Sequence, residues 1–322
     1  MTNPAQERAS RLAALPFQTS ESRSSGKLGA FAGAVREIFS HRELLVLLVR
    51  RELKARYKDS SLGFIWSLIK PIVQLLIYYV AIGQFLGAAR GIPDFAIFVF
   101  SGLTLWGLFS EIISSGTSSI VNNAGRIKKV YLPREIFPLA AAGSSLFNFV
   151  IQFAVLLAAT IALGLFPFSA LIVYVPVGVL IATIYGVAIA IALSALNVYL
   201  RDIQYLVEVG LLLFFWASPI VYSWSFVVAA AERTGLTWLS EVYLWNPITL
   251  AMLAFQRGMW ISGSKDTVMG QDAAGVDIVT PAQPWPADLD LRLLIAGIIG
   301  LVLIWVAQRV FSRLQGNFAQ EI

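Results

Sequence analysis

Long apolar runs separated by short polar connections dominate the chain from about Leu62 onward. Six of them reach the roughly 20 residues a helix needs to cross a bilayer core. They cover about Leu62 to Leu86, Phe95 to Val121, Pro138 to Phe166, Ala170 to Leu200, Ile203 to Tyr222 and Leu291 to Phe311. Several exceed that length, which predicts tilt or kinking, with Pro71 and Pro176 as kink sites. Ahead of the first run the pattern changes. Ile38, Leu45, Leu48 and Val49 recur at helical spacing, and Glu37, Arg50, Arg51 and Lys54 fill much of the rest. This predicts an amphipathic helix over 36–58 lying in the membrane interface. A helix packed on the protein itself would read the same way. Residues 1–35 are rich in Ser, Ala, Arg and Gly without sustained periodicity and read as a mobile tail. The resulting division is tail (1–35), interface helix (36–58) and transmembrane domain (59–322), an all-α polytopic architecture with six transmembrane helices.

Composition agrees. The chain is 57% hydrophobic and 13% charged, where soluble domains carry about 25% charged residues. Its net charge of +5 does not point to nucleic acid, because the basic residues flank apolar runs, where they set orientation. Arg126, Lys128, Lys129, Arg134, Arg201, Arg309 and Arg313 fall on one side with the N-terminal segment if six spans are correct, which places both termini in the cytoplasm. The first thirty residues hold no apolar core of the kind a secretory signal needs. Cysteine is absent and His41 is the lone histidine, so neither a disulfide nor a thiolate or histidine metal cluster is expected. No phosphate-binding loop is found; Gly26-Lys27 is followed by Leu28. Acids within the spans are Glu111 and Glu208, too few for a paired-carboxylate site. An enzyme is disfavoured, and uphill movement would need a partner or an ion gradient.

Two connections stand out. Asn122 to Glu135, with Arg126, Lys128, Lys129, Tyr131, Leu132, Pro133, Arg134 and Glu135, is short, basic and amphipathic. It reads either as a positive-inside loop or as a surface helix seated on a cytoplasmic partner. The last external connection opens with an apolar, aromatic stretch including Trp224, Trp238 and Trp245. Its pieces are too short to span and predict two short helices in the outer leaflet, split near Glu232 to Thr237. Ser264 to Asp290 reads as an exposed loop.

Several stretches resemble the ABC-2 type permeases that export polysaccharides such as O-antigen, capsule and teichoic acid. They are Arg56-Tyr57-Lys58 with Leu62-Gly63, Trp66 and Pro71; Lys129 to Pro133 with Phe137-Pro138; Asn197 to Asp202; Ser218-Pro219-Ile220; Asn246-Pro247 and Arg257. They run in the expected order over about residues 40 to 310. The Ser-rich tail and Ser264 to Asp290 are not characteristic of that family. The resemblance implies a half-transporter in the bacterial plasma (inner) membrane, working as a homodimer with two separate ATPase subunits. No cofactor is expected on this chain; ATP and Mg would be held by the partner. The resemblance also implies that Asn122 to Glu135 is the coupling helix and that the short external helices, with Trp224, Trp238, Trp245, Asn246, Pro247 and Arg257, form a gate. The cargo would be a glycan on a polyprenyl diphosphate lipid.

Aromatic faces suit a sliding polymer, and Tyr78, Tyr79, Phe214, Phe215, Trp216 and Tyr222 are candidates for lining its path; aromatics near span ends also form the interfacial belt. Lys70 lies roughly 12 Å into the first helix and Glu111 roughly 15 Å in from the same side, which allows an ion pair. Lys70 snorkelling to the headgroups is the second reading. A third has Lys70, Arg50, Arg51, Arg56 and Lys58 meeting the lipid diphosphate. Rival functions are a drug- or lipid-exporting ABC-2 permease, an ion-driven carrier and a membrane glycosyltransferase.

Overall fold

The computed structural model describes residues 27–57, 65–85, 91–127, 133–165, 167, 169–271 and 277–321. The chain divides into two units, one ending at Ser40 and one running from His41 to Ile322. In the first, α1 (Lys27–Ser40) begins inside the stretch expected to be a tail. Ser40 Oγ donates to Glu37 O at 2.7 Å, a back-bond that competes with helix continuation. A turn at His41 divides the single helix expected over 36–58.

The second unit is built on helices. α2 covers Arg42–Tyr57. α3 (Trp66–Tyr78) continues into π-helical backbone over Tyr79–Phe85, and at 1.5 Å per residue the pair extends about 30 Å. α4 (Phe95–Asn122), the single turn α5 (Ala124–Ile127) and α6 (Ile136–Ala162) follow. A 3-10 turn, Ala170–Val173, opens α7 (Tyr174–Tyr199). Pro176 sits in the first turn of α7, where helix N–H groups lack intrahelical partners, so it is a helix-start residue and not the mid-span kink expected of it. Pro71 does lie inside α3.

α8 (Ile203–Trp216) has 14 residues, about 21 Å. It stops short of the Tyr222 end expected for the fifth span. Pro219 has no N–H and restricts the residue before it, and residues 217–222 run on as turn and bends. α9 (Trp224–Thr234) and α10 (Trp238–Leu244) come next, separated at Gly235, whose φ is +68°; the split falls within the expected Glu232 to Thr237. α11 (Pro247–Met259) starts where the Asn246 side chain accepts from the Ile248 N–H and Pro247 occupies the first turn, a strong start signal. Ser264 to Asp290 is not simply the exposed loop expected: it contains an antiparallel hairpin of β1 (Thr267–Gln271) and β2 (Asp277–Thr280), pairing Thr267 with Thr280 and Val268 with Val279. Thr267, Val268, Ile278, Val279 and Thr280 are the β-branched residues that favour it. α12 (Leu289–Leu314) and α13 (Phe318–Glu321) end the chain.

Among the described residues, the helices of α4, α6, α7 (with its 3-10 turn) and α12 (with the turn after it) are long and apolar enough to cross a membrane. The molecule is therefore a mostly helical, polytopic membrane protein. The most apolar window of α4 is 72% buried and that of α12 only 22%; α4 is the central pillar, and α12 leaves Leu291, Leu294, Ile298 and Leu301 exposed, as a lipid-facing surface would. α7 and α11 meet closely. A Cβ on Gly178 would lie 2.6 Å from Ala251 O, and one on Gly258 would lie 2.5 Å from Val175 Cγ2. Small residues allow this backbone approach, which stands in for a hydrophobic driving force inside lipid.

A second apolar cluster gathers the opposite ends of the spans. It includes Leu48, Ile120, Ile136, Phe137, Val198, Phe311 and Phe318. Tyr199 OH donates to Leu314 O at 2.6 Å across it. The end of α4, the start of α6 and the ends of α7 and α12 thus meet, which collects the basic connections at one end of the molecule.

Candidate functional site

At that basic end, α4 closes on Asn123, whose N–H reaches Ile120 O. Its carboxamide then acts as a hub. Nδ2 donates to Ser119 O at 2.8 Å, while Oδ1 accepts from Arg51 Nη2 at 2.8 Å and from Arg126 Nη1. Burial, and next the proximity of Arg126, hold Arg51 below the usual arginine range. Arg51, expected near the lipid phosphate, and Arg126, expected on the coupling segment, therefore belong to one junction between α2 and the α4–α5 turn. α2 packs on α6 through Leu48 and Val49, the latter against Gly143, while Val46, Leu47 and Arg50 remain exposed. One face of this helix is packed on the protein, and the other carries exposed apolar and basic groups.

The rest of the basic connection is split. Arg126 is exposed. Arg134 turns inward, with Nη1 bonding Gln315 O and the guanidinium 5.5 Å from the Phe318 ring centroid. Glu135 is buried and Pro133 half-buried. Lys128, Lys129, Tyr131, Leu132, Lys58 and the side chains of Arg56 and Lys70 lie outside the described residues. The expected Lys70–Glu111 pair falls there too. Glu111 Oε1 accepts from Asn148 Nδ2 of α6 at 2.7 Å. Beside it Ser110, Ser114, Ser115, Ser118 and Leu211 line a groove of about 440 Å³. Sequence reasoning missed this hydroxylated face, although serines spaced three and four apart on an otherwise apolar helix were its signal.

The aromatic candidates divide by face. Phe215 is buried, with ring centroids 6.4 Å from Tyr78, 5.6 Å from Trp106 and 5.4 Å from Trp216. This cluster ties α3, α4 and α8 together. Tyr79, Phe214 and Trp216 are exposed. Trp106 was not anticipated; in the middle of an apolar run it looks like any core residue. Tyr222 OH donates to Trp216 O at 2.6 Å and is hydrogen-bonded to Tyr243 OH.

At the opposite end, α9 and α10 border an open, largely apolar groove of about 710 Å³, walled by Phe214, Tyr222, Phe226, Leu239, Val242 and Tyr243. Of the expected gate residues, Trp238 and Trp245 are exposed and Trp224 is buried, its Nε1 donating to Pro284 O at 3.0 Å. Arg292 of α12 bridges Glu241 of α10 at 2.7 Å and Asp288 at 2.8 Å. Asn246 and Pro247 start α11, and Asn246 Nδ2 also reaches Ser218 Oγ at 3.3 Å. Arg257 is fixed on Tyr174, 4.6 Å from the ring centroid and 3.2 Å from the hydroxyl, which in turn donates to Asp290 at 2.7 Å. Nearly every residue of α11 from Ile248 to Met259 is buried. It is a pillar of the core, in contrast to the exposed pair beside it. Among the described residues, no group of three acidic or histidine side chains could hold a metal.

Comparison with known proteins gives a consistent result. The family described as ABC-2 type transporter matches residues 43–260. The chain is similar to an O-antigen export system permease protein RfbA of Myxococcus xanthus, 30% identical over 288 residues, covering 89% of this chain and 98% of that protein. Two proteins of the same name from Klebsiella pneumoniae are 25% identical over 278 residues (86% and 94% covered) and 27% identical over 222 residues (69% and 82% covered).

Proposed function

Because the chain belongs to the ABC-2 type transporter family, we propose that it is the permease subunit of a polysaccharide exporter. Its cargo is a glycan carried on a polyprenyl diphosphate lipid, moved across the bacterial plasma membrane. ATP is hydrolysed, with Mg, on a separate subunit present in two copies, and two copies of this chain form the conduit. The observation that carries the reading is the likeness, over nearly their whole length, to permeases named for O-antigen export. A chain without a phosphate-binding loop needs a motor, and permeases of this family work with an ATPase partner.

In this reading the membrane is crossed six times. Four crossings are the long helices; α3 with its π-helical continuation and α8 with the bends after it supply the others. The basic end faces the cytoplasm, together with both termini, and α9 and α10 face outward. Asn122 to Glu135 receives the motion of the ATPase, and the Arg51–Asn123–Arg126 junction passes it to α2 and α4. The hydroxylated groove beside Glu111 and the exposed rings of Tyr79, Phe214 and Trp216 offer sugar hydroxyls and sugar faces the surfaces they need. Arg50, Arg51, Arg56, Lys58 and Lys70 supply positive charge for the diphosphate on the way in.

The test is co-purification with the ATPase encoded beside it, followed by hydrolysis and export assays on Tyr131→Ala and Pro133→Gly. Hydrolysis that persists while export falls supports the reading. Unimpaired export in both variants refutes the coupling role. Stimulation of hydrolysis by drugs but not by lipid-linked glycan would assign the permease to a different cargo.

A further inference from the structure

Residues 281–286 have neither helix nor strand, yet they form a strap held at several points. Ala282 N–H donates to Asp266 Oδ1 at 2.9 Å, Gln283 N–H to Gly263 O at 2.7 Å, and Trp224 Nε1 to Pro284 O at 3.0 Å. Ser223 Oγ is hydrogen-bonded to Gln283 Oε1. Between this strap, Gly91 and Pro93 ahead of α4, and one side of α9 lies a cavity of about 410 Å³, inside the roughly 300–1,000 Å³ of small-molecule sites. Its wall mixes two chemistries. Ser223, Ser225, Glu232 and Gln283 supply polar groups, and Pro93 and Trp260 supply apolar ones. Gln283 is only 7% exposed, and its Nε2 has no partner among the described residues. Buried donors are rarely left unpaired; this one has almost no accessible surface as the side chain stands, so a turn of the carboxamide is needed to offer it to a ligand. Glu232 carries the only charge in the described wall, which disfavours phosphates and acidic sugars.

A small space walled by hydroxyl, carboxamide and carboxylate groups together with apolar side chains fits a pyranose, which has polar edges and weakly apolar faces. We propose that this cavity is a saccharide subsite for one or two neutral or N-acetylated sugar units, with the Gln283 carboxamide turning to bring Nε2 to a hydroxyl or acetamido oxygen. The strap lies beyond the residues matched to the family, while the α9 side of the wall and Trp260 lie within them. The source of the sugar rests on the proposed export function; the binding itself does not.

The experiment photolyses full-length permease in nanodiscs with diazirine-bearing disaccharides, one N-acetylated (N,N′-diacetylchitobiose), one neutral (maltose) and one acidic (digalacturonate). The expected label falls on peptides spanning Ser223–Glu232 and Thr280–Pro284, from the N-acetylated or neutral probe, and is competed by the unlabelled sugar. Gln283→Ala removes the donor, and Ala229→Phe fills the space without removing a bond. Each should cut labelling about tenfold, with Ala229→Phe keeping the melting temperature of the parent. Label confined to other peptides, label unchanged in Ala229→Phe, or no competable label from any probe overturns the proposal. Failure of wild-type export in vesicles would instead remove the proposed function and leave a positive labelling result standing.

Discussion

Gly178→Ala asks whether α11 is truly a fixed pillar. The added methyl carbon would sit 2.6 Å from Ala251 O, 3.1 Å from Phe255 N and 3.2 Å from Phe255 Cβ. Ordinary carbon–oxygen contacts start at about 3.3 Å, so α7 and α11 must part by several tenths of an ångström along a buried seam. The obstacle is backbone, which cannot rotate away. Overpacking of this kind costs about 1–3 kcal/mol, and against backbone the upper half applies. Alanine regains about 1 kcal/mol of helix propensity over glycine. The net expectation is about 1–2 kcal/mol of destabilisation, or roughly 2–4 °C at the lower end, about 2 °C per kcal/mol, of the range for 150–250-residue proteins, since the shift shrinks with chain length. Gly297→Ala is the matched control. It lies on α12 with nothing within 4 Å of the new Cβ, so only the propensity gain applies and the melting temperature should hold or rise. Thermal unfolding of the two variants in the same detergent reads the difference. If Gly178→Ala melts with or above Gly297→Ala, the close seating of α11 against α7 is wrong, and with it the contrast between a buried α11 and the exposed α9–α10 pair.

Asn123→Leu removes the acceptor shared by Arg51 and Arg126 while keeping side-chain size. Hydrogen bonds to charged groups contribute about 1.5–3 kcal/mol, so both stability and ATP-coupled export should fall, whereas Asn123→Asp, which keeps the acceptor, should retain more of each. Arg134→Ala loses the bond to Gln315 O and the contact with Phe318; limited proteolysis should then cut the chain after Leu314 faster than in the parent, and an unchanged cleavage rate would contradict the anchoring role. Trp216→Ala removes an exposed ring, so export should drop with a melting temperature within about 1 °C of the parent; equal losses in both would make Trp216 structural. Asp288, held below the usual carboxylate range by the hydrogen bond from Arg292, contributes stability present above about pH 4 and lost as pH falls through its lowered value. Between pH 5 and pH 3 the parent should therefore lose slightly more stability than Asp288→Asn, the effect being small for so exposed a group.

Much of the architecture was legible because a bilayer imposes strict length and polarity on what crosses it. The runs at Phe95, Pro138, Ala170 and Leu291 became long helices, and Glu232 to Thr237 held the break between α9 and α10. Pro219 carried the signal that α8 stops early, but an apolar run on both sides hid it. Asn246-Pro247 is a helix-start signal, yet nothing in the local pattern said that nearly all of α11 is buried; that depends on Gly178 of α7 lying opposite it and on its own Gly258 letting Val175 approach. The β-hairpin was obscured by glycine, aspartate and alanine between its β-branched strands. Arg134 shows a different limit. A cation that orients a loop and a cation that anchors a C-terminal segment have the same sequence, and only the arrival of Phe318 and Gln315 from the far end of the chain tells them apart. Phe214, Phe215 and Trp216 are likewise indistinguishable in a helix apolar all round until Tyr78 and Trp106 occupy one face.

The central claim is tested most directly by reconstituting the purified permease, with and without its ATPase, into vesicles containing a fluorescent polyprenyl diphosphate glycan on the ATPase-facing leaflet. Accessibility of the glycan to a lectin on the opposite face is then followed. The account predicts that the glycan becomes accessible only when the ATPase, ATP and Mg are all present. Appearance of the glycan with the permease alone, or no appearance with the complete complex hydrolysing ATP, would contradict it.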